Sequence, residues 1–334
     1  MAQQFLIIQT AFIGDVVLAT GIIEKLHQHY PDAEIDFILR KGNEGLLVNH
    51  PHLRRMIIWD KKRNKLFNLW KILREARRVR YDKVINVQRF AATGVLTAFS
   101  GAKETIGFDK NPFAFMFTKK IKHIVSSQGE VRHEVERNND LIADLTDQLP
   151  FRPRLYPSEA DFNFVAKYKA GPYITISPAS VWFTKQYPKE KWISFINQVP
   201  DQFSVYLLGG PGDQSLAEEI KTGAKIPLVV NLCGNLNFLQ SAAVMKDATM
   251  NYVNDSAPMH FASAMNAPVT AVYCSTLPLF GFGPLSDKSH IVEIPEPLYC
   301  RPCGLHGRSA CPEKHFFCAY KILDEQLLKT MDGN

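Results

Sequence analysis

The chain has 334 residues, with 46% hydrophobic and 22% charged residues and a formal net charge of +6. That length suits two domains, and that composition argues against wholesale disorder. No run of 18 uninterrupted apolar residues occurs, and the start MAQQ lacks a basic signal-peptide n-region, so a cytoplasmic protein is expected.

The charge is unevenly placed. Residues 40–122 hold 20 Lys and Arg against 6 Asp and Glu, a net of +14, which leaves −8 for the rest. The clusters are Arg54-Arg55, Lys61 to Lys65, Arg74 to Arg80 and Lys119 to Lys122. Each alone reads as a solvated face. Together they point to an anionic partner: nucleic acid, anionic lipid or a phosphorylated glycan.

Gln4–Thr10 is a continuous apolar strand of the kind covered on both faces. Ala11 to Asp15 then turns into a helix over Val16–Tyr30, ended by Pro31-Asp32, and Glu34–Leu39 is the next strand. This is a βαβ unit without GxGxxG, so the dinucleotide fingerprint is weak. It offers instead a carboxylate, Asp15, at the mouth of the first strand, where open α/β sheets bind ligands. A helix cap is the ordinary role for such an Asp. Ile57–Trp59 is a strand, Phe67–Arg80 a basic helix and Lys83–Val87 a strand leading into Gln88-Arg89. A small-residue helix, Ala91–Ser100, and a short strand, Thr105–Phe108, follow. His133–Leu145 reads as a long helix with a solvated polar face. Three prolines between Pro150 and Pro157 mark the best domain boundary.

A second doubly wound unit opens with the strand Tyr173–Ser177, followed by Ser180, Thr184 and Lys185 in a loop before Tyr187-Pro188. Gln202–Leu208 is a strand ending in Gly209-Gly210-Pro211-Gly212-Asp213, before a helix over Gln214–Thr222. The glycines allow close backbone approach to a ligand. A further strand, Leu228–Leu232, precedes the helix Phe238–Lys246. Ala248–Val253 and Val269–Cys274 are strands around a short helix. Asn254, Asp255 and Ser256 are good N-cap residues, Pro258 suits a first turn, and Asn266-Ala267-Pro268 stops the helix. That helix start is a ready phosphate site, with His260 one turn in. Leu277–Pro284 is a Gly/Pro loop and Ile322–Thr330 a helix.

Cys233 and Cys274 read as buried small hydrophobes. Cys300, Cys303, Cys311 and Cys318 are spaced C-x2-C-x7-C-x6-C, which in a cytosolic chain fits a structural zinc site better than two disulfides.

Several of these stretches resemble glycosyltransferase family 9, the ADP-heptose:lipopolysaccharide heptosyltransferases. They are QTAFIGDVVLATGII, the Ser177–Pro188 loop, NDSAPMHFASAMNAPVTAVYCST and the Leu277–Pro284 loop, in matching order over most of the chain. Departures are Gln9 where many members carry a basic residue, Gly21 where many carry Pro, Ala257 for Gly, and Cys274 near a usual Gly-Pro. The resemblance implies a GT-B fold, with two Rossmann-like doubly wound domains facing a central cleft. The expected divisions are 1–157 for the acceptor, 158–312 for the nucleotide sugar, and a C-terminal helix in 313–334 crossing back. It also implies inverting transfer of heptose from ADP-heptose to an inner-core lipopolysaccharide acceptor.

By the same resemblance Asp15 is the general base and Lys185 the catalytic cation at the diphosphate. Ser180, Thr184, Gly210, Asp213 and the run Asp255, Ser256, Ala257, Pro258, Met259, His260 contact the nucleotide. Gln88 and Arg89 contact the acceptor. The ribose contact is Asp213 or Glu218, although Gln214 is the matching position. No catalytic metal or other cofactor is required, and any zinc is structural. The implied partners are a nucleotide sugar and an anionic glycolipid, met at the inner membrane's cytoplasmic face, and no nucleic acid. The alternatives are a GT-B transferase using a UDP or GDP sugar for cell-surface glycan, and, remotely, a non-enzymatic nucleic-acid binder.

Overall fold

The computed structural model describes residues 2–125, 131–226 and 228–331. Contacts divide them into two units, the first formed by 2–125 and 132–156 and the second by 131 and 157–331.

In the first unit the chain runs β1 (Gln4–Ile8), α1 (Ile13–His29), β2 (Glu34–Arg40), β3 (Arg55–Trp59), α2 (Lys65–Val79), β4 (Lys83–Asn86), α3 (Ala91–Ala98), β5 (Glu104–Phe108), β6 (Lys119–Ile121) and α4 (Glu134–Asp140). The six strands form one parallel sheet in the order β3-β2-β1-β4-β5-β6. Both faces are covered, and Phe5, Leu6, Ile7 and Ile8 of β1 are buried, which is why that strand reads as an unbroken apolar run. The chain winds outward from β1 through β2 and β3, then returns to β4 and winds the other way. The reversal lies between β1 and β4.

Two features of this unit depart from the expected pattern. Residues 133–145 hold only a seven-residue helix, α4, which packs on α1 and buries Val135, Arg137, Asn138 and Asn139. Three of its inward polar residues are paired: Glu134 accepts from Arg137 Nε at 2.7 Å, Arg137 Nη1 donates to the Arg132 carbonyl at 2.6 Å, and Asn139 Nδ2 donates to the Asp147 carbonyl at 3.0 Å. Arg54 and Arg55 are internally neutralised. Asp36, fully buried in β2, accepts from Arg54 Nε at 2.8 Å, Arg55 Nε at 2.7 Å and the Tyr81 hydroxyl.

Gly21, the departure in α1, has a steric cause. A Cβ there would sit 2.6 Å from the Phe151 carbonyl oxygen, because residues 151–156 lie along α1. Arg154 N–H donates to Thr20 Oγ1 at 2.9 Å, and the Tyr156 hydroxyl to Glu24 at 2.8 Å. The proline-rich segment is therefore fixed to the first unit before the second begins.

The second unit runs α5 (Glu159–Val165), β7 (Tyr173–Ser177), α6 (Lys189–Ile196), β8 (Ser204–Leu207), α7 (Gln214–Gly223), β9 (Val229–Asn231), α8 (Phe238–Lys246), β10 (Met250–Asn254), α9 (Ala257–Met265), β11 (Val269–Tyr273), β12 (Ser289–Glu293), α10 (Phe317–Tyr320) and α11 (Asp324–Met331). Its parallel sheet has the order β12-β11-β10-β7-β8-β9, with the reversal between β7 and β10. The core gathers Ile174, Ile176, Trp192, Phe195, Tyr252 and Val272. The C-terminal α11 packs by its contacts on α6 and β12 of this unit, and Asp324 at its start accepts from Ser194 and Gln198.

No described helix is long and apolar enough to cross a membrane.

Candidate active site

Ligands of open α/β sheets bind beyond the carboxyl ends of the strands, where strand order reverses. Each unit gathers polar side chains at that place.

In the first unit the segments after β1 and β4 supply them. Ser and Gly are absent from the turn after β1, and α1 begins instead with a carboxylate three residues past its cap: Asp15 Oδ2 accepts the Phe12 N–H at 3.0 Å. Asp15 is half-buried. Thr10, just past β1, joins two other segments. Its hydroxyl donates to Gln88 Oε1 at 2.6 Å, and Lys61 Nζ donates to its hydroxyl oxygen at 2.7 Å and its carbonyl at 3.0 Å. Burial, with Arg40 and Lys65 close by, pulls the Lys61 ammonium down from 10.5 to about 8. Gln88 is buried in this network, whereas Arg89 beside it is exposed. Gln9, standing where a cation is usual, folds its own Oε1 back to the Ala11 N–H at 3.1 Å.

Two groups here escaped the sequence. Glu134 and Arg137 begin α4 with side chains 13% and 2% exposed and pair at 2.6 Å. Burial pushes the Glu134 carboxyl up, Arg137 opposes that, and the Asp15 carboxylate reinforces it, so Glu134 and Asp15 lie within electrostatic reach of each other. His123 is pulled down to about 4 by burial and then by the charges of Arg89 and Arg137. The first unit thus gathers the carboxyls of Asp15 and Glu134 and the cations Arg89 and Lys61 around one strand edge. A long helix over His133–Leu145 with a solvated polar face would turn Glu134 outward. Its short, inward-facing helix has no signature in period or composition.

In the second unit the reversal lies between Ser177 and Asn254. Asn254, ending β10, is buried and ties the two edges together. Its Nδ2 donates to the Pro178 carbonyl at 2.8 Å, and its Oδ1 accepts the Tyr187 N–H at 2.9 Å. Between these anchors Lys185 is brought to Asp255, with Nζ 2.7 Å from Oδ2. Thr276 Oγ1, beyond β11, donates to the same carboxylate at 2.7 Å. Ser256 is the N-cap of α9 with extended backbone, and Pro258 is the second helical residue. Ser256, Ala257 and Pro258 are half-buried, so this helix start remains accessible. Met259 is fully buried, and His260, fourth in the helix, is 5% exposed. A helix N-terminus carries partial positive charge and unpaired N–H groups. With Lys185 alongside, the arrangement suits a diphosphate.

The remaining expected residues fall on neighbouring segments. Ser180 is half-buried, and its carbonyl accepts from Gln186 Nε2 at 2.6 Å. Thr184 is buried, with its hydroxyl oxygen 2.9 Å from Ser275 Oγ and accepting the Arg308 N–H at 2.8 Å. Beyond β8, Asp213 Oδ2 accepts the Gly210 N–H at 2.8 Å and so caps its own turn. Gln214 Nε2 donates to the Cys233 carbonyl at 3.2 Å. Glu218 is tied to Lys221 at 3.0 Å and Asn231 at 3.1 Å on the outer face of α7.

Cys300, Cys303, Cys311 and Cys318 line one cavity of about 420 Å³ with Thr184, Ser275 and Arg308. The expected zinc finds no support there, because among the described residues no group of three or more His, Cys, Asp or Glu is arranged to hold a metal ion. Burial pushes the Cys318 thiol up to about 12 and raises that of Cys303, and the neighbouring cysteines of the set add to both. What the loop does instead is brace the Lys185 segment. Thr184 N–H donates to the Arg308 carbonyl at 3.1 Å, and Gly307 packs so closely that a Cβ would lie 2.9 Å from Lys185 Cγ.

Two doubly wound six-stranded parallel sheets with flanking helices give the chain a GT-B fold. The sequence profile described as Glycosyltransferase family 9 (heptosyltransferase) matches residues 69–310. The chain belongs to glycosyltransferase family 9. It is 28% identical over 287 residues to lipopolysaccharide heptosyltransferase 3 of Escherichia coli, covering 80% of this chain and 83% of that one. Among solved structures, E. coli ADP-heptose lps heptosyltransferase II superposes with a TM-score of 0.81 at 20% identity, covering 99% of this chain and 98% of that one. E. coli heptosyltransferase WaaC with ADP does so with a TM-score of 0.70 at 19% identity, covering 86% and 92%.

Proposed function

We propose that this glycosyltransferase moves heptose from ADP-heptose, with inversion, to an inner-core lipopolysaccharide acceptor at the cytoplasmic face of the inner membrane. The observation that carries the reading is the pairing of Lys185 with Asp255 beside the half-buried start of α9, at the strand reversal of the second unit. In this reading the diphosphate lies against the first turn of α9, Ser256 to His260, and Lys185 exchanges part of its contact with Asp255 for a phosphate oxygen. Ser180, Thr184, Gly210 and Asp213 frame the nucleotide. Family membership and relatives named as lipopolysaccharide heptosyltransferases support the sugar and the acceptor class. A relative solved with ADP supports the nucleotide.

The chemistry follows from the charges. The acceptor hydroxyl attacks the anomeric carbon from the face opposite the leaving group, and Asp15 takes its proton. The bond from the anomeric carbon to the β-phosphate oxygen breaks, and ADP leaves with that electron pair. Lys185 and the helix N-terminus stabilise the developing charge. Arg89, with Gln88 behind it and Lys61 across Thr10, orients an anionic acceptor.

Calorimetric titration of ADP, UDP, GDP and adenosine tests the donor half. ADP is expected to bind more tightly than UDP or GDP. Lys185→Ala and His260→Ala are each expected to weaken ADP binding by about 1.5–3 kcal/mol, the contribution of a hydrogen bond to a charged group. Adenosine is expected to bind all three proteins equally weakly. ADP affinity unchanged in both variants would remove this site.

A further inference from the structure

We propose that the outward face of α2 is a docking surface for an anionic lipid bilayer. Residues 60–80 carry nine Lys and Arg against Asp60 and Glu75. The buried residues of α2 are Ile72 and Ala76, with Leu69 and Leu73 packed against the same core cluster. That stripe holds the helix to the sheet. A different face holds Leu66, Phe67 and Trp70, which are 77%, 63% and 51% exposed. At spacings of three and four residues they share one side of the first two turns. Phe67 and Trp70 stand with ring centroids 6.4 Å apart, and the Arg74 guanidinium lies 4.6 Å above the Trp70 ring.

Three large apolar side chains left in water at the start of a helix are unusual for a solvated face, which a salt-laced charged surface would cover. The cations are arranged around them. Lys62, Arg63 and Lys65 precede the patch, and Lys71, Arg77 and Arg78 follow it. Aromatic residues at the headgroup level, flanked by Lys and Arg, are the pattern of an interfacial helix, each cation near an anionic surface adding to the attraction. Nucleic acid would use the charge without the Leu66 side chain. A phosphorylated glycan alone would not need the apolar patch.

The position suits the role. Helix α2 leaves the carboxyl end of β3, and Lys61, four residues before its start, bonds Thr10 past β1. The lipid-facing patch and the base Asp15 therefore belong to the same edge of one sheet. A membrane-borne acceptor would reach that edge from the bilayer, so the inference rests on the acceptor proposed above.

Flotation of the full chain with vesicles tests it. Phosphatidylcholine vesicles containing phosphatidylglycerol should carry the protein at low salt, and pure phosphatidylcholine vesicles should not. Leu66→Ser, Phe67→Ser and Trp70→Ser together should lower partitioning by about tenfold or more, the loss of three buried apolar side chains. These positions are exposed, so thermal melting should be unchanged, and turnover on a lipid-free acceptor should match wild type. Binding to anionic vesicles that survives the triple substitution would reduce the face to a charge patch and overturn the inference, as would absence of binding in wild type. Loss of turnover on the lipid-free acceptor in wild type would strike the transferase reading instead.

Discussion

Asp15 accepts the Phe12 N–H and so holds the start of α1. A carboxylate offers about four acceptor sites, so capping and base catalysis are compatible in one side chain. Asp15→Asn keeps the cap acceptor and loses the base. Its turnover should fall by roughly 10²–10⁴-fold while ADP affinity holds, and steady-state kinetics beside titration separates the two. Lys61 gives a pH signature. Its ammonium titrates at about 8 rather than 10.5, so its charge is present below that pH and disappears as pH rises through it. If Lys61 helps hold an anionic acceptor, acceptor KM should climb above pH 8 in wild type, and donor KM should not. A KM profile flat across that range would leave Lys61 a strut for Thr10. The placement of Asp15, Lys185 and Ser256 just past strand ends was legible because the strand, turn and helix around each is local. Lys61 and Glu134 were not, since their importance comes from Thr10 and Asp15, far away in sequence.

Among the elements, the long apolar strands and capped helices of both sheets followed from period and turn chemistry, and their observed bounds differ by at most three residues. The pieces that sequence left unread are short edge or connecting elements. Lys119–Ile121 registers as charge, yet it is β6, an edge strand whose lysines discourage pairing with other chains. Ser289–Glu293 pairs with β11 as β12 without a strong alternation. The buried Asp36 set is an element-scale feature too, because it fastens β2 to the β3 start and to Tyr81. Burial works to raise the Asp36 carboxyl, but hydrogen bonds from Arg54, Tyr81 and Arg55 outweigh it and hold it below 3.8. The stabilisation is therefore present above the ordinary carboxylate pKa and is lost as pH falls through the depressed value. Asp36→Ala removes the shared buried partner of Arg54 and Arg55 and leaves them Glu34 and Glu75, so it should cost about 1–3 kcal/mol by urea unfolding at neutral pH. It should also flatten the acid side of the stability profile. A loss below about 1 kcal/mol would show that solvent compensates the arginines.

At the scale of the whole molecule, the +14 of residues 40–122 resolves into parts with different tasks. Arg54 and Arg55 are spent on Asp36, Lys119 on Asp144, and Lys83 on Glu104, while Arg89 and the outward residues of α2 stay at the surface. A raw charge count could not make that division, because it depends on which carboxylates the sheet brings alongside. The order of four sequence stretches, by contrast, carried the family. The measurement that bears most directly on function is turnover of purified protein with ADP-heptose and a lipid-free inner-core acceptor, in parallel with UDP- and GDP-sugars. Release of ADP coupled one-to-one to heptosylated acceptor of inverted configuration, with little product from the other donors, is the predicted result. No ADP release with the heptose donor, or faster transfer from a UDP or GDP sugar, would contradict it.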